Sequence, residues 1–341
     1  MRTAILAAAA LLVPAAAVAG SIEPEVLPKV LAGGKDRPTV VLHAVEDCAD
    51  VLVKLSRDDG KTIGTRTGPM AAGTSKKIPL DLPEGREYKF TGTLEVKSDR
   101  GEESIEVSFV AEVVVPAKLS LNESKFSLEK RELELSSTRK TSKVDVEVTS
   151  DRGEEIGTTT VPFDGAAPGT PLKVQWRQDD GTVMRIKVKV WDTDNFFQSV
   201  ELFPWHILIP HEEINFPTGS FKIEAKEEPK LTSSVTLIQE AVEKYGRFAE
   251  IKLYVAGHTD SVGASETNRT LSLNRARAIS EFFRRHGIRV PILYDGFGED
   301  ALRIPTPDET DEVRNRRAEY IVAVEPPPVP YSRQANWKPL R

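Results

Sequence analysis

Residues 251–263, with the sequence IKLYVAGHTDSVG, decide the fold of the last third of the chain. Residues 251–255 alternate apolar with polar side chains, which is the pattern of a β-strand with one buried face. The mostly polar segment from Gly257 to Gly263 is bounded by glycines, which is typical of a loop. The chain therefore places a loop, with the carboxylate of Asp260 near its centre, directly after a strand.

Helical patterns flank this strand and loop. Residues 231–245 and 271–286 carry apolar side chains at i, i+3 and i+4 spacing, which predicts two amphipathic helices. Gly246 and Gly287 follow them as natural stops. A third helix is predicted over 309–316, and strands are predicted to begin at Ile214 and to cover 292–295 and 318–324. The order β-α-β-α-β-α-β predicts an α/β sandwich whose helices cover one face of the sheet.

Several short blocks of this region occur in a fixed order: Phe216-Pro217-Thr218-Gly219-Ser220, Gly257-His258-Thr259-Asp260-Ser261-Val262-Gly263, Asn268, Leu271-Ser272-Leu273-Asn274-Arg275-Ala276, Gly287-Ile288, Gly296-Phe297-Gly298-Glu299 and Asn315-Arg316-Arg317-Ala318-Glu319. In order and spacing they resemble the motifs of OmpA-like peptidoglycan-binding domains, the C-terminal domains of OmpA and MotB proteins. The resemblance spans about 210–325, and its specificity comes from the combination of blocks. Ala318 departs from the valine usual in the family, and residues 304–311 have their own loop sequence.

The resemblance implies non-catalytic binding of peptidoglycan through the diaminopimelate of its peptide stem. The free end of this residue carries an ammonium and a carboxylate. Asp260 and Arg275 match the family positions that bind these two groups, and the planar guanidinium suits a bidentate carboxylate contact. Thr259 is expected to supply a backbone contact, and Asn268 to fix the loop and line the pocket. Arg317 is expected either to reach the ligand or to form a structural salt bridge.

Without the resemblance, Asp260 and Arg275 would be interpreted as surface charges or an ordinary salt bridge. Gly257 and Gly263 are expected to let the loop turn tightly, and His258 to be packed rather than catalytic. The chain has no G-x-S-x-G or H-E-x-x-H motif. His206, His211 and Glu212 come nearest to a metal cluster, but Pro210 separates the two histidines. The sequence therefore predicts a protein that is not an enzyme and needs no metal or cofactor.

From about residue 37 to 209 the pattern has period two, which predicts strands separated by glycine-containing turns. Residues 53–65 resemble residues 146–158 at an offset of 93. Gly73 and Gly85 correspond to Gly169 and Gly181 at an offset of 96. This duplication predicts two all-β, immunoglobulin-like sandwiches over 20–118 and 119–209, followed by the OmpA-like domain at 210–325.

The two ends of the chain have distinct compositions. Residues 1–19 combine Arg2, an apolar run and an Ala17-Val18-Ala19 cleavage pattern, which predicts a signal peptide. No later segment is apolar enough to cross a membrane, so the mature chain is expected to have no transmembrane segment. Residues 326–341 are proline-rich and are predicted to be disordered. Cys48, the single cysteine, is interpreted as a buried residue, with an intermolecular disulfide as the alternative.

Composition limits the partners. Among 341 residues, 46 are basic and 52 acidic, so the net charge of −6 argues against binding to nucleic acid through overall charge. The signal peptide and the family resemblance together predict a periplasmic protein associated with peptidoglycan. They leave open a position at the outer membrane. The alternative function is a scaffold of a secretion or motility apparatus, in which the β-domains bind an envelope protein and the wall domain is only a tether.

Overall fold

The computed structural model describes residues 11–12, 20–217, 219–327 and 335–341, and in this part of the chain strands are far more numerous than helices. The predicted signal peptide, apart from Leu11 and Leu12, and tail residues 328–334 lie outside the described residues. The chain divides into two units. The first takes in the described residues up to Val146, with Thr159–Trp176 and Val188–Val200, and the second takes in Glu147–Thr158, Arg177–Lys187 and the described part of Glu201–Arg341.

Two sheets over one core are built from the described residues up to Val114. Their strands are β1 (Leu11–Leu12), β2 (Ile22–Leu27), β3 (Lys29–Leu31), β4 (Thr39–Ala44), β5 (Cys48–Arg57), β6 (Thr62–Arg66), β7 (Ser75–Pro79), β8 (Glu87–Ser98) and β9 (Gly101–Val114). The sheet orders are β1-β2-β4-β7 and β3-β9-β8-β5-β6. Leu42 of one sheet and Phe90 of the other share the core, because every second side chain of a strand faces inward. Cys48 lies in this core, and burial raises the pKa of its thiol.

The strands from residue 119 to 202 follow the same order. They are β10 (Leu119–Leu121), β11 (Glu132–Ser137), β12 (Thr141–Ser150), β13 (Glu155–Ala166), β14 (Leu172–Gln175), β15 (Val183–Asp192) and β16 (Phe197–Leu202). The sheets β10-β11-β14 and β13-β12-β15-β16 correspond strand by strand to β2-β4-β7 and β6-β5-β8-β9. Gly60 and Gly153, at equivalent hairpins, both have positive φ, +88° and +81°.

The immunoglobulin-like assignment and the division into three domains stay predictions. The two contact-defined units do not follow the predicted boundaries, since parts of β12, β13 and β15 belong to the second unit.

The second unit contains a five-stranded sheet with two long helices on one face. Its elements are β17 (His206–Leu208), α1 (Glu228–Tyr245), β18 (Lys252–His258), α2 (Ser265–Arg285), β19 (Ile292–Gly298), β20 (Ala318–Ala323) and β21 (Lys338–Pro339). The sheet order is β17-β20-β18-β19-β21, and β18 and β19 are parallel. Ile238 of α1 and Phe283 of α2 share one core with Val255 and Val322 of the sheet. Neither α1 nor α2 combines the length and hydropathy of a membrane-spanning helix, and the described residues contain no other candidate.

Two predicted elements of this region are wrong. Ile214 does not begin a strand; the backbone N–H of the adjacent Asn215 donates instead to Glu227 Oε2 at 3.1 Å, and the first strand of the sheet is β17. Residues 309–316 form turns rather than a helix. Glu309 has a φ of +52°, outside the helical region, and its N–H donates to Ser261 O at 2.9 Å. In both places a tertiary hydrogen bond replaces the regular backbone pattern.

The prediction of a disordered C-terminal tail is wrong for residues 335–341. This segment adds β21 to the edge of the sheet beside β19. The ring of Trp337 packs against Tyr254, at 5.1 Å between ring centroids. Burial of a large aromatic side chain compensates for the ordering of a short segment that composition alone would leave unfolded.

Candidate functional site

Asp260 lies in the loop immediately after β18 and is 7% exposed. Its Oδ2 accepts a hydrogen bond from Arg316 Nη1 at 2.5 Å, and Arg316 also pairs with Asp311. The carboxylate is therefore held against a cation that comes from the segment just before β20. A group with a positive charge that approaches Asp260 has to share it with Arg316.

Arg275 lies on α2 and is partly buried. Its Nε donates to Ser220 O at 2.9 Å and its Nη2 to Pro217 O at 3.4 Å, while the guanidinium carbon lies 5.0 Å from the ring centroid of Phe216. Among the described residues, no carboxylate lies within ion-pair distance of Arg275. Burial and the nearby Arg316 lower the pKa of Arg275, and Asp260 partly opposes that shift. Arg275 is thus a positioned guanidinium whose charge has no direct anionic partner in the described chain.

A cavity of about 130 Å³ brings the cationic groups together. It is lined by Ile214, Asn215, Phe216, Gly257, His258, Arg275, Val313, Arg316, Arg317 and Ala318. Three guanidinium groups around a small polar space favour a ligand with a carboxylate, because a planar fork of N–H donors matches the two carboxylate oxygens. With the carboxylate of Asp260 bound to one lining arginine, the site offers both signs of charge to a zwitterionic ligand.

Asn268 supports the loop that carries Asp260. It is 5% exposed, and its Nδ2 donates to Val262 O at 3.1 Å and to Glu299 Oε2 at 2.7 Å, with a longer contact to Asp260 O at 3.5 Å. Its bonds therefore join the loop to the end of β19.

Thr259 and Arg317 are both buried, at 2% and 7% exposed. The backbone N–H of Thr259 donates to Gly298 O at 2.9 Å, so it is engaged in the fold. Arg317 Nε forms a salt bridge with Glu319 Oε1 at 2.8 Å, and its Nη1 donates to Ala301 O at 3.1 Å. Arg317 lines the cavity while it holds this structural salt bridge.

The two glycines have different roles. Gly263 has a φ of +92°, a region that favours glycine in a turn. Gly257 lies within β18 rather than in the loop. A Cβ at Gly257 would lie 2.3 Å from Ser272 O, so glycine is needed here because α2 packs closely against the strand.

The residue that sequence reasoning missed is Arg316. It lies in the Asn315–Glu319 block, where Arg317 was the expected ligand residue. Only the fold shows that Arg316 reaches Asp260 across 56 positions, while Arg317 points to Glu319.

His258 is a buried lining residue rather than a candidate for acid–base chemistry. It is 1% exposed and stacks on Phe297 with 5.5 Å between ring centroids. Burial, together with the cations of Arg317 and Arg303, lowers the pKa of His258 well below its usual value near 6.5. Within the described ranges, no cluster of three His, Cys, Asp or Glu side chains is arranged to hold a metal ion.

Comparisons with known proteins place this site within a family domain. Residues 215–317 match the family model described as OmpA family, so this part of the chain is an OmpA-like domain. Over 131 residues the chain is 32% identical to the photosystem I P700 chlorophyll a apoprotein A2 of Gloeobacter violaceus. That match covers 36% of this chain and 14% of the relative, so the chain spans about a seventh of that protein's length.

Solved structures similar to the chain include three envelope proteins. The OmpA-like domain of FopA1 from Francisella tularensis is 17% identical, with a TM-score of 0.26, over 44% of this chain and 79% of the other. The periplasmic domain of Helicobacter pylori MotB is 16% identical, with a TM-score of 0.29, over 36% of this chain and 83% of the MotB domain. An outer membrane protein from Borrelia burgdorferi is 24% identical, with a TM-score of 0.23, over 36% of this chain and 97% of the other.

Proposed function

We propose that this protein binds peptidoglycan without cleaving it, through the diaminopimelate residue of the peptide stem, and thereby anchors an exported β-rich region to the cell wall. OmpA-like domains commonly bind peptidoglycan, and residues 215–317 belong to that class. The observation that carries the proposal is a positioned guanidinium, Arg275, that lines one small cavity, together with the buried carboxylate of Asp260, which is bound to Arg316 of the same cavity.

The two charges have separate tasks. Asp260 accepts hydrogen bonds from the ligand ammonium, which competes with Arg316 for the same carboxylate oxygen. Arg275 binds the ligand carboxylate. Ser220 and Pro217 engage two of its five N–H groups, so three remain for the ligand as far as the described residues are concerned. The carbonyls fix the guanidinium in place before binding, which lowers the entropic cost of the contact.

The remaining predicted residues act around this pair. Asn268 holds the loop of Asp260 through its amide, and Gly263 permits the turn of that loop. Arg317 lines the cavity and supplies a second cation for the ligand carboxylate, while the backbone of Thr259 anchors the start of the loop to Gly298. The proposed role of these residues is binding alone.

The location follows from the same proposal. A protein that binds the stem peptide of the wall works in the periplasm, and residues 1–19 supply the export signal. The β-rich region, residues 20–209, is then tethered to the wall and is available to an envelope partner.

A sedimentation assay with purified sacculi tests the proposed site. The Asp260→Asn and Arg275→Ala variants are expected to remain in the supernatant at concentrations where the unchanged protein sediments. Arg277→Ala is the matched control, because Arg277 lies on the same helix, is exposed and, in the described part of the chain, pairs only with Glu281. Equal sedimentation of all four proteins, with unchanged circular dichroism, would rule out the site. Release of soluble wall fragments by the pure protein would rule out the non-catalytic role.

A further inference from the structure

Ala335 and Trp337 of the C-terminal segment 335–341 occupy a groove on the sheet face opposite to the helices, while Leu340 packs against the core on the helix side. In β18, Leu253 and Val255 face α1 and α2, whereas the intervening Tyr254 and Ala256 face the other side. Strand periodicity requires this alternation. On that second face the described chain places Trp337 against an apolar set consisting of Tyr254, Ala256, Leu293, Phe297, Ala301, Ile321 and Ala323.

The segment binds this groove as an added strand. Lys338 and Pro339 of β21 are opposite Tyr294 and Leu293 of β19, and Leu340 N donates to Ile292 O at 2.8 Å. Asn336 N donates to Asp295 Oδ2 at 2.7 Å. A few main-chain hydrogen bonds and one side-chain pocket are the mode by which extended peptides bind the edge of a sheet.

One side chain dominates the contact. Ala335 and Trp337 face inward while Asn336 and Lys338 are exposed. The Trp337 ring meets Tyr254 edge-on, with 5.1 Å between centroids, and Phe297 at 5.8 Å. Tyr254 and Phe297 are 1% and 0% exposed. Large aromatic side chains bury the most apolar area per residue, so Trp337 is the anchor of the segment.

The segment is also separate from the rest of the domain in sequence. The last long strand, β20, ends at Ala323, and the intervening residues 324–334 contain four prolines. Trp337 is not part of the core between the sheet and the helices, which the segment contacts through the partly buried Leu340.

We propose that the groove lined by Tyr254 of β18 and by the edge strand β19 is a peptide-binding site. It takes an extended segment with a tryptophan anchor, and residues 335–341 are its resident ligand. The segment is a docked peptide tethered to its own receptor rather than an integral strand. The site is distinct from the Asp260–Arg275 cavity, and the inference holds whether or not that cavity binds the cell wall.

Cleavage of the folded protein between the domain and its C-terminal segment tests whether the segment is a separable ligand. A protease site is introduced within residues 328–334 of the full chain, the folded protein is cut, and a dye-labelled peptide of residues 335–341 is added. We expect saturable binding in fluorescence anisotropy, with competition by the unlabelled peptide. The uncut protein is expected to bind the labelled peptide at least tenfold more weakly, because its groove is occupied at high effective concentration.

Two competitor peptides give the specificity. The peptide with Trp337→Ala is expected to compete at least tenfold less well, whereas Lys338→Ala, which alters an exposed side chain of the same strand, is expected to compete like the original. Three results would overturn the proposal: no exchange into cut protein that keeps its circular dichroism, equal competition by the Trp337→Ala peptide, or unfolding of the domain once the segment dissociates.

Discussion

The replacement of Arg275 by lysine or alanine separates charge from geometry in the proposed wall-binding site. In the structure the guanidinium lies over Phe216 and is held by the carbonyls of Ser220 and Pro217. A hydrogen bond to a charged group contributes about 1.5–3 kcal/mol. If alanine removes a bidentate carboxylate contact worth about 3 kcal/mol, the dissociation constant rises roughly 100-fold.

Lysine keeps the positive charge but cannot form the two parallel bonds or both loop contacts. We expect it to recover part of the affinity, with a dissociation constant about tenfold above that of the unchanged protein, which corresponds to about 1.4 kcal/mol. Isothermal titration calorimetry with a purified stem peptide that contains diaminopimelate measures each value, and Arg277→Ala is expected to change the constant less than about twofold.

An Arg275→Ala variant that binds the stem peptide within threefold of the unchanged protein would refute a carboxylate contact at this residue. Arg275 also holds the segment 217–220, so thermal unfolding of each variant is measured in parallel. Loss of binding that only accompanies loss of folding would not count as support.

Three further predictions concern the surrounding fold. Gly257→Ala is expected to lower the free energy of unfolding by about 1–3 kcal/mol, because its Cβ would meet Ser272 O at 2.3 Å, whereas Gly64→Ala, in a strand with open space, is expected to change it little in urea unfolding. Because burial lowers the pKa of His258 in the folded protein, the unfolded state binds a proton at a higher pH than the folded state does. The free energy of unfolding is therefore expected to fall as the pH drops below about 6.5, by up to about 1.4 kcal/mol per pH unit. A His258→Gln variant that shows the same pH dependence would contradict this. Burial raises the pKa of Tyr254 to about 12, and spectrophotometric titration of Trp337→Ala is expected to show it lowered towards about 10, while an unchanged value would indicate that Trp337 does not cover the ring.

Local patterns were sufficient for the elements whose residues interact with near neighbours in sequence. Period-two alternation predicted the long strands, and i, i+3, i+4 spacing predicted α1 and α2. These patterns succeed because burial of one face is the main stabilising term for such elements. The family blocks around Gly257–Gly263 and Asn315–Glu319 likewise predicted the OmpA-like domain that the family model matches at 215–317.

The predictions failed where long-range contacts decide the backbone. Residues 309–316 have a helix-like composition, but Glu309 and Thr310 bond to the Ser261 loop, and Asn315 bonds to the backbone of Ile304. The C-terminal segment has no periodicity of its own. Its order depends on a groove that exists only after β18, β19 and β20 have come together.

The same distinction applies to the candidate site. By itself the sequence determined that Asp260 follows a strand and that Arg275 lies on the next helix, since both statements depend on local pattern and spacing. Only the tertiary structure decided that Arg316, rather than Arg317, is the cation bound to Asp260, and that Arg275 has no carboxylate beside it in the described chain. The reason is physical: local pattern cannot distinguish two adjacent arginines, whereas folding brings the carboxylate of Asp260 to Arg316 and leaves Arg317 paired with Glu319.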